Sequence, residues 1–283
     1  MAHIVDQLIE ERARALMRNP AVWRLVQTLI YPLLGYRDAV QMADAVRDMS
    51  GQAVFDYLSG RLELAVDSLG LQRVPARGLA VITANHPAGI ADGVAVYDAL
   101  KQVRSDITFF ANRDAIRVAP GLADMIVPVE WMETRRSHSK GRETVRHLVQ
   151  AFRDQRLIVI FPSGRLARPT ARGLEERRWQ SSAVSLAQKY ESPIIPMHIR
   201  ARSSWLYYFF YLVNKELRDM TLFRELLNKQ GHQYRIRVGE PFTPEGDPQE
   251  LALQLRAFVA EAMPAGATRF TATNLPNGTE RPA

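Results

Sequence analysis

His86 and Asp92 are the two side-chain types that together carry out general-base catalysis. Both lie in the short stretch NHPAGIADG at residues 85–93. A carboxylate that accepts the proton of one imidazole nitrogen fixes the tautomer of the ring and stabilises the imidazolium ion as it forms. The second ring nitrogen is then free to take a proton from a hydroxyl group. The pair therefore indicates a site at which a hydroxyl becomes a nucleophile.

The spacing of the pair decides whether the two side chains can meet. Each residue of a regular helix turns by about 100°, so six positions would leave the side chains roughly 120° apart. Pro87 and Gly89 favour a turn, which would place His86 before a helix and Asp92 in its first turn. The structural alternative is a His-Pro loop followed by an Asp that interacts with the helix dipole. These residues alone leave both interpretations open.

The elements that would position this pair begin at Leu79, where short β-rich runs alternate with helical stretches. The runs are LAVITA, ITFFA, MIVPV, LIVIF, IIPMHI and YRIRV. Such alternation is typical of βαβ units and predicts an α/β fold with a mostly parallel central sheet flanked by helices. YRIRV is expected to be an edge strand, and a last helix is expected over about residues 248–262.

The domain organisation follows from where these patterns begin and end. Helical periodicity covers roughly the first 70 residues, including GQAVFDYLSGRLELAVDSL at residues 51–69. We therefore predict an N-terminal helical segment at 1–75 and an α/β domain at 76–263. Gly, Pro, Thr and Asn dominate residues 264–283, which predicts a disordered tail.

Polar side chains follow four successive runs. They are His86 after LAVITA, Arg113 after ITFFA, Arg135 and Arg136 after MIVPV, and Ser163, Gly164 and Arg165 after LIVIF. The carboxyl ends of parallel strands meet at one edge of a sheet, where ligands bind in open α/β folds. These side chains are therefore expected to share one crevice.

The excess of positive charge lies in one segment of the chain. The formal net charge is +7, and residues 135–178 contain twelve Lys or Arg against four Asp or Glu. An anionic partner is therefore expected here: phosphate groups, anionic lipid, nucleic acid or an acidic carrier protein. A solvated basic face is the alternative.

Several kinds of chemistry are disfavoured by composition. The chain contains no cysteine, which excludes disulfides, thiolate metal sites and a cysteine nucleophile. None of the six histidines lies at HExxH-like spacing from another, so no metal is expected. No zinc pattern, glycine-rich phosphate loop or aromatic-basic motif indicates a nucleic-acid partner.

Four blocks, in order, resemble the glycerol-phosphate and lysophosphatidic-acid acyltransferase family, also described as PlsC-like. The family has an Asn-His-x4-Asp block, an Arg-bearing block, a Phe-Pro-Glu-Gly-Thr-Arg block and a late Val-Pro-Val-like block. The corresponding stretches here are NHPAGIAD, VPVEWMETRRS, FPSGR and IIPM. The resemblance spans about residues 79–199, and the segments on either side lie outside the motifs.

The resemblance implies a role for each block. His86 would be the general base, Asp92 would orient it, and Arg165 would hold the phosphate of the acceptor. Arg135 and Arg136 would supply the Arg-bearing block, with Arg113 as a weaker match. The implied reaction moves a fatty acyl group from acyl-ACP or acyl-CoA to the hydroxyl of a lysophospholipid or glycerol 3-phosphate. It needs no cofactor besides the acyl donor.

Departures from the family pattern concern the acceptor. Five residues separate His86 from Asp92 instead of four, a spacing similar to that of some bacterial members with His-Pro-x-Gly-x-x-Asp-Gly. Ser163 replaces the usual Glu, and Leu166 follows Arg165 with no Thr before it. A lyso-ornithine lipid is therefore an alternative acceptor. A non-catalytic lipid-binding protein on the same scaffold is a further alternative. The plant-type acyltransferases have a His-x3-Asp-Gly motif, whose spacing does not match.

Membrane contact is expected to be peripheral. The first residues are too charged for the apolar centre of a signal peptide. The longest apolar run, Trp205–Val213, is much shorter than the ~20 residues that cross a bilayer. We therefore expect a cytoplasmic protein at the inner face of the cell membrane. Trp205–Val213 and the stretch 22–34 could each lie on the bilayer or pack against the sheet.

Overall fold

Seven strands form the central sheet of the computed structural model, which describes residues 2–130, 138–171 and 173–271. They are β1 (Ala65–Leu69), β2 (Ala80–Ala84), β3 (Ile107–Asn112), β4 (Ile126–Val129), β5 (Leu157–Ile160), β8 (Ile194–Arg200) and β9 (Gln233–Val238). A separate antiparallel hairpin consists of β6 (Arg168–Thr170) and β7 (Gly173–Glu175).

The spatial order of the sheet is β1-β9-β8-β2-β5-β3-β4. Among the pairings of these described strands, β8 with β9 is antiparallel and the others are parallel. The carboxyl ends of β2, β5, β3 and β8 therefore lie at the same edge. This edge is where the polar side chains singled out in the sequence emerge.

The helices lie before the sheet strands and between them. Before the sheet are α1 (Ile4–Arg12), α2 (Pro20–Leu33), α3 (Tyr36–Val46) and α4 (Gly51–Leu62). Between and after the strands are α5 (Ile90–Leu100), α6 (Asp114–Val118), α7 (His138–Arg153), α8 (Ser182–Lys189), α9 (Trp205–Val213), α10 (Lys215–Met220), α11 (Leu222–Leu227) and α12 (Pro248–Ala257). A π-helical turn, Phe258–Ala262, continues α12. Within the described residues, no helix combines the length and hydropathy needed to cross a membrane.

Helices cover both faces of the sheet, which explains why the central strands are apolar throughout. Successive side chains of a strand point to opposite faces. Ile82 of β2 joins the cluster that contains Val94 of α5, whereas its neighbour Val81 joins the cluster of Phe152 and Leu255 from α7 and α12. Strands buried on both faces lose the polar alternation of a half-exposed sheet. The predicted α/β fold with a mostly parallel sheet and N-terminal helices is confirmed.

One segment predicted to be helical is a strand. The helical pattern of residues 51–69 ends with α4, where Glu63 adopts a left-handed conformation with φ of 43°. The following residues form β1, which pairs with β9 in parallel. Consequently β9 is not the edge strand that the sequence predicted, because β1 covers its outer side. This pairing joins distant parts of the chain, which local periodicity does not reveal.

The first residues of the predicted tail pack on the domain instead of being disordered. The backbone N–H of Glu240 donates to the carbonyl of Thr268 at 2.7 Å. The ring of Phe270 lies 4.6 Å from that of Phe242 and 5.5 Å from that of Phe258, measured between centroids. The last part of the predicted tail, residues 272–283, lies outside the described residues.

An ion pair ties together the beginnings of three strands at the edge opposite the candidate site. The buried Arg104 donates from Nε to the Asp106 carboxylate at 2.7 Å and from Nη1 to the carbonyl of Gly78 at 2.6 Å. It also donates to the carbonyl of Gln155 at 3.1 Å. The hydrogen bond from Arg104 lowers the pKa of Asp106.

Substitution of Asp106 should therefore destabilise the fold in a pH-dependent manner. Asp106→Asn leaves the Arg104 charge buried beside a neutral amide, which should cost about 1–3 kcal/mol at neutral pH. The folded-state pKa of Asp106 is lowered, so its contribution is present above the unfolded-state pKa and is lost as the pH falls through the folded-state value.

Urea unfolding of both proteins between pH 7 and pH 3 would measure this difference. The gap in unfolding free energy should close at the acidic end. Asp124→Asn, at an exposed carboxylate, is the matched control and should show no gap. An equal cost at every pH would contradict the assignment.

Candidate active site

The turn that carries His86 is fixed to the sheet by the residue before it. The amide Nδ2 of Asn85 donates to the carbonyl of Ile199 at 2.9 Å, and the N–H of Ile199 donates to Oδ1 of Asn85 at 2.7 Å. Ile199 belongs to β8, the neighbour of β2. This two-way hydrogen bond holds the start of the turn where β2 ends.

Asp92 is the centre of the turn. Its side chain is 0% exposed, and Oδ2 lies 2.9 Å from Nδ1 of His86. The same oxygen accepts the N–H groups of Ala88 at 2.9 Å and Gly89 at 3.0 Å. Gly89 has φ of 98°, a conformation that favours glycine because it has no Cβ. The predicted arrangement, with His86 before the helix and Asp92 in its first turn, is confirmed.

The contact with Asp92 leaves the far side of the His86 ring available. An ionised carboxylate can only accept, so this contact requires the tautomer with the proton on Nδ1, and in the neutral ring Nε2 then has the lone pair. Within the described part of the chain, no residue is hydrogen-bonded to Nε2. The ring stacks on Phe161, with centroids 4.4 Å apart, and the side chain is 18% exposed. Nε2 is thus able to accept a proton from a bound hydroxyl.

The FPSGR block lies against the same turn. The N–H of Gly164 donates to the carbonyl of Phe161 at 2.9 Å, which closes a tight turn after β5. The Ser163 hydroxyl donates to the carbonyl of Arg165 at 2.8 Å, and the N–H of Ala167 donates to the carbonyl of His86 at 2.8 Å. Ser163 and Gly164 therefore shape the turn, and Ala167 couples it to His86.

The predicted arginines differ in their surroundings. Arg165 is exposed, and no described residue is hydrogen-bonded to its guanidinium group. Arg113 instead forms an ion pair with Glu143 of α7, in which its guanidinium group donates to the carboxylate at 2.5 Å. Arg135 and Arg136 lie outside the described residues. The roles of these arginines in substrate binding stay predictions.

Tyr234 is a site residue that the sequence did not reveal. It lies on β9, is 1% exposed, and its hydroxyl is beside the Asp92 carboxylate. Burial, and after it the negative charge of Asp92, raise the pKa of Tyr234 far above its usual range. The alternation in YRIRV indicates which face of the strand Tyr234 occupies. It does not indicate that this strand lies under Asp92.

Glu176 is a second residue that sequence reasoning missed. Its side chain follows β7 and is buried, with 5% exposed. Oε2 accepts the backbone N–H of His86 at 3.1 Å, and Oε1 accepts the indole N–H of Trp179 at 3.1 Å. Burial raises the pKa of Glu176. In the sequence this residue belongs to the charged stretch EERR, which resembles a solvated surface.

The comparison with known proteins concerns the stretch that carries this site. Residues 65–200 match the protein-family model described as Acyltransferase. Residues 65–200, just under half of the chain, therefore carry the similarity to the acyltransferase family. The family predicted from the four sequence blocks is thereby confirmed, and so is the enzyme class, an O-acyltransferase.

Two relatives and one solved structure are similar to this acyltransferase. It is 23% identical over 206 residues to the lyso-glycine lipid O-acyltransferase of Phocaeicola vulgatus, covering 69% of this chain and 72% of that protein. It is 22% identical over 158 residues to a protein of the same description from Bacteroides thetaiotaomicron, covering 56% and 54%. The crystal structure of the 1-acyl-sn-glycerophosphate (LPA) acyltransferase PlsC from Thermotoga maritima is 15% identical, with a TM-score of 0.45, covering 94% of this chain and 97% of that one.

Substitution of the His-Asp pair should abolish acyl transfer by the acyltransferase without unfolding it. His86→Ala removes the base, and Asp92→Asn places an amide where three donors converge. We expect kcat to fall by about 10²–10⁴-fold for Asp92→Asn. Because the chain contains no cysteine, thiol release from an acyl thioester donor can be followed with a thiol reagent without a background from this protein.

The matched control for this prediction is Asp98→Asn. Asp98 lies on the same helix, where it contacts Ser59 and Lys101 instead of His86. It should keep full activity. Retention of wild-type kcat by Asp92→Asn would contradict the proposed pair.

Proposed function

We propose that this acyltransferase moves a fatty acyl group from the thioester of acyl-ACP or acyl-CoA to the hydroxyl of a lysophospholipid or glycerol 3-phosphate. The main support for the proposal is the contact between Nδ1 of His86 and the buried Asp92. This contact leaves Nε2 available to take a proton from an acceptor hydroxyl. We infer that the transferred species is an acyl group because residues 65–200 match the acyltransferase family.

In the proposed reaction, the acceptor hydroxyl attacks the thioester carbonyl while Nε2 of His86 takes its proton. Asp92 stabilises the imidazolium ion that results. The tetrahedral intermediate then collapses, the C–S bond breaks, and the proton passes from His86 to the departing thiolate. A thiol of this kind has a pKa of about 8.5, so the thiolate departs with little acid assistance. The balance requires no covalent acyl-enzyme and no cofactor besides the donor.

Arg165 is our candidate for binding the anionic head group of the acceptor. Its guanidinium group is exposed and has no hydrogen bond to a described residue. The forked donors of a guanidinium group suit the paired oxygens of a phosphate or a carboxylate. The Ser163–Gly164 turn holds Arg165 next to the segment that contacts His86. Arg135 and Arg136 remain candidates for the same role.

A second acceptor class is favoured by two observations. The relatives are described as lyso-glycine lipid O-acyltransferases, and the FPSGR block departs from the family pattern because Ser163 replaces Glu and no Thr precedes Arg165. An amino-acid lysolipid, such as a lyso-glycine or lyso-ornithine lipid, also offers a hydroxyl and a carboxylate anion. We therefore include these lipids as alternative acceptors. A lipid-binding protein without catalysis is the outcome if no acceptor reacts.

Two helices expose apolar rows that suit a bilayer surface. On α9, Trp205 is 75% exposed and Leu212 is 82% exposed, although Leu206 and Phe210 are buried. On α2, Leu25, Leu29 and Leu33 are exposed at helical spacing. Exposed apolar rows of this kind are typical of interfacial helices. We propose that both helices dock peripherally at the cytoplasmic face of the membrane, where the proposed thioester donors occur.

Acyl transfer by the purified protein tests the proposal and names the substrates. Acyl-ACP and acyl-CoA would each be offered with lysophosphatidic acid, glycerol 3-phosphate, lyso-glycine lipid and lyso-ornithine lipid. Arg165→Ala should raise the KM for an anionic acceptor by about 10- to 100-fold, because it removes a charge-assisted hydrogen bond. The KM for the donor should stay unchanged.

The control for this variant is Arg61→Ala, at an exposed arginine of α4. It should leave both constants unchanged. Wild-type acceptor KM in Arg165→Ala would exclude Arg165 as the head-group ligand. Absence of product from every pair of substrates would leave the lipid-binding alternative.

Docking through α9 predicts a loss of vesicle binding when a charge is placed in its exposed row. Leu212→Asp should weaken binding to phosphatidylglycerol vesicles by about 10-fold or more, because a buried leucine contributes about 1.5–3 kcal/mol. Co-sedimentation would measure the effect. Leu253→Asp, at an exposed leucine of α12, is the control. Equal losses in the two variants would count against a specific membrane face.

A further inference from the structure

Glu176 contacts the backbone of His86, not its side chain. Its Oε2 accepts the His86 N–H, and the carbonyl of His86 accepts the N–H of Ala167. Both peptide groups that flank the His86 Cα are therefore hydrogen-bonded to residues from the segment after β5. Together with the Asp92 contact on Nδ1, these bonds define the position and the rotation of the ring.

The Glu176 carboxylate is held from its other side by the core. Its Oε1 accepts the indole N–H of Trp179, which is buried among residues of α8 and α12. Arg256 of α12 donates from Nη2 to the carbonyl of Glu176 at 2.7 Å. The backbone and the side chain of Glu176 are thus both anchored to the helical layer on one face of the sheet.

We propose that Glu176 is a positioning residue for the catalytic base, which it holds by accepting the backbone N–H of His86 between β2 and the helix α5. This inference rests on the proposed role of His86. The contact favours a carboxylate because two N–H donors converge on it, one on each oxygen, and the Ser163 hydroxyl also interacts with it. A neutral amide at this position offers one acceptor oxygen and one N–H₂ group.

Glu176→Gln tests this inference because it keeps the size of the side chain and removes one acceptor. In this variant, either His86 or Trp179 must face the amide N–H₂ group. The resulting small displacement of the His86 ring should lower kcat by about 10- to 100-fold, because the rate depends on the position of the base. The KM for either substrate should change by less than about 3-fold, because Glu176 contacts neither substrate in the proposed reaction.

A second substitution should rescue the first. Trp179→Phe removes the indole N–H, so the glutamine oxygen of Glu176→Gln can turn to the His86 N–H with no donor opposing its N–H₂ group. The kcat of the double variant should return to within about 3-fold of the Trp179→Phe single variant. A residue that only supports folding would give additive losses instead. Thermal unfolding of all four proteins would separate stability from turnover.

The outcomes distinguish this inference from the proposed function. Wild-type kcat in Glu176→Gln, or a double variant as slow as Glu176→Gln, would overturn the positioning role. Activity that survives His86→Ala would overturn the proposed base instead. Nitrogen-15 NMR of the histidine rings, assigned with His86→Ala, needs no turnover. Glu176→Gln should shift the His86 ring signals and the double variant should restore them, whereas unchanged signals in Glu176→Gln would overturn the inference.

Discussion

A carboxylate without exposed surface must be surrounded by donors, because an unpaired charge in the interior costs several kcal/mol. Asp92 meets this requirement on Oδ2, which contacts His86 and the N–H groups of Ala88 and Gly89, whereas its buried Oδ1 lies near Tyr234 and has no hydrogen bond to a described residue. The backbone between β2 and α5 therefore curves around the Asp92 side chain. This path requires a positive φ at Gly89, which glycine adopts without steric strain. The dipole of α5 stabilises the charge in its first turn. The same interactions that bury the carboxylate thus orient the imidazole ring.

The features of the fold and of the site that could be predicted from the sequence are those determined by neighbouring residues. The turn at Pro87 and Gly89, and the strands β2 and β5, follow from residue types and spacing within short stretches. The position of Tyr234 beside Asp92 depends on a pairing between β8 and β9 that no short stretch encodes. Glu176 is part of a charged tetrapeptide, and its burial depends on contacts with Trp179 and α12. Non-local contacts thus place Tyr234 and Glu176 beside the His-Asp pair, and patterns in a single sequence carry little information about such contacts.

The aromatic run Trp205–Val213 shows a different limit of prediction. A helix that is apolar on all sides has no periodic pattern from which its buried face could be read. The structure buries one side, including Leu206 and Phe210, and exposes Trp205 and Leu212. The exposed side is determined by what α9 packs against, not by the composition of α9. The interpretation of this run as a core helix therefore holds for one face only, and the proposed bilayer contact concerns the other, exposed face.

The pairing of β1 with β9 affects how the chain reaches this structure during synthesis. Ala65 and Gln233 are register partners, so the first strand of the sheet remains without its neighbour until the last strand has been made. Contacts between such distant residues slow folding, and an unpaired strand edge invites association with other chains. A nascent chain that has been made as far as β8 contains His86 and Asp92, but β8 lacks its neighbour β9 and Tyr234 is still absent. In chain order, therefore, the sheet and the buried surroundings of Asp92 are complete only after β9 has been made.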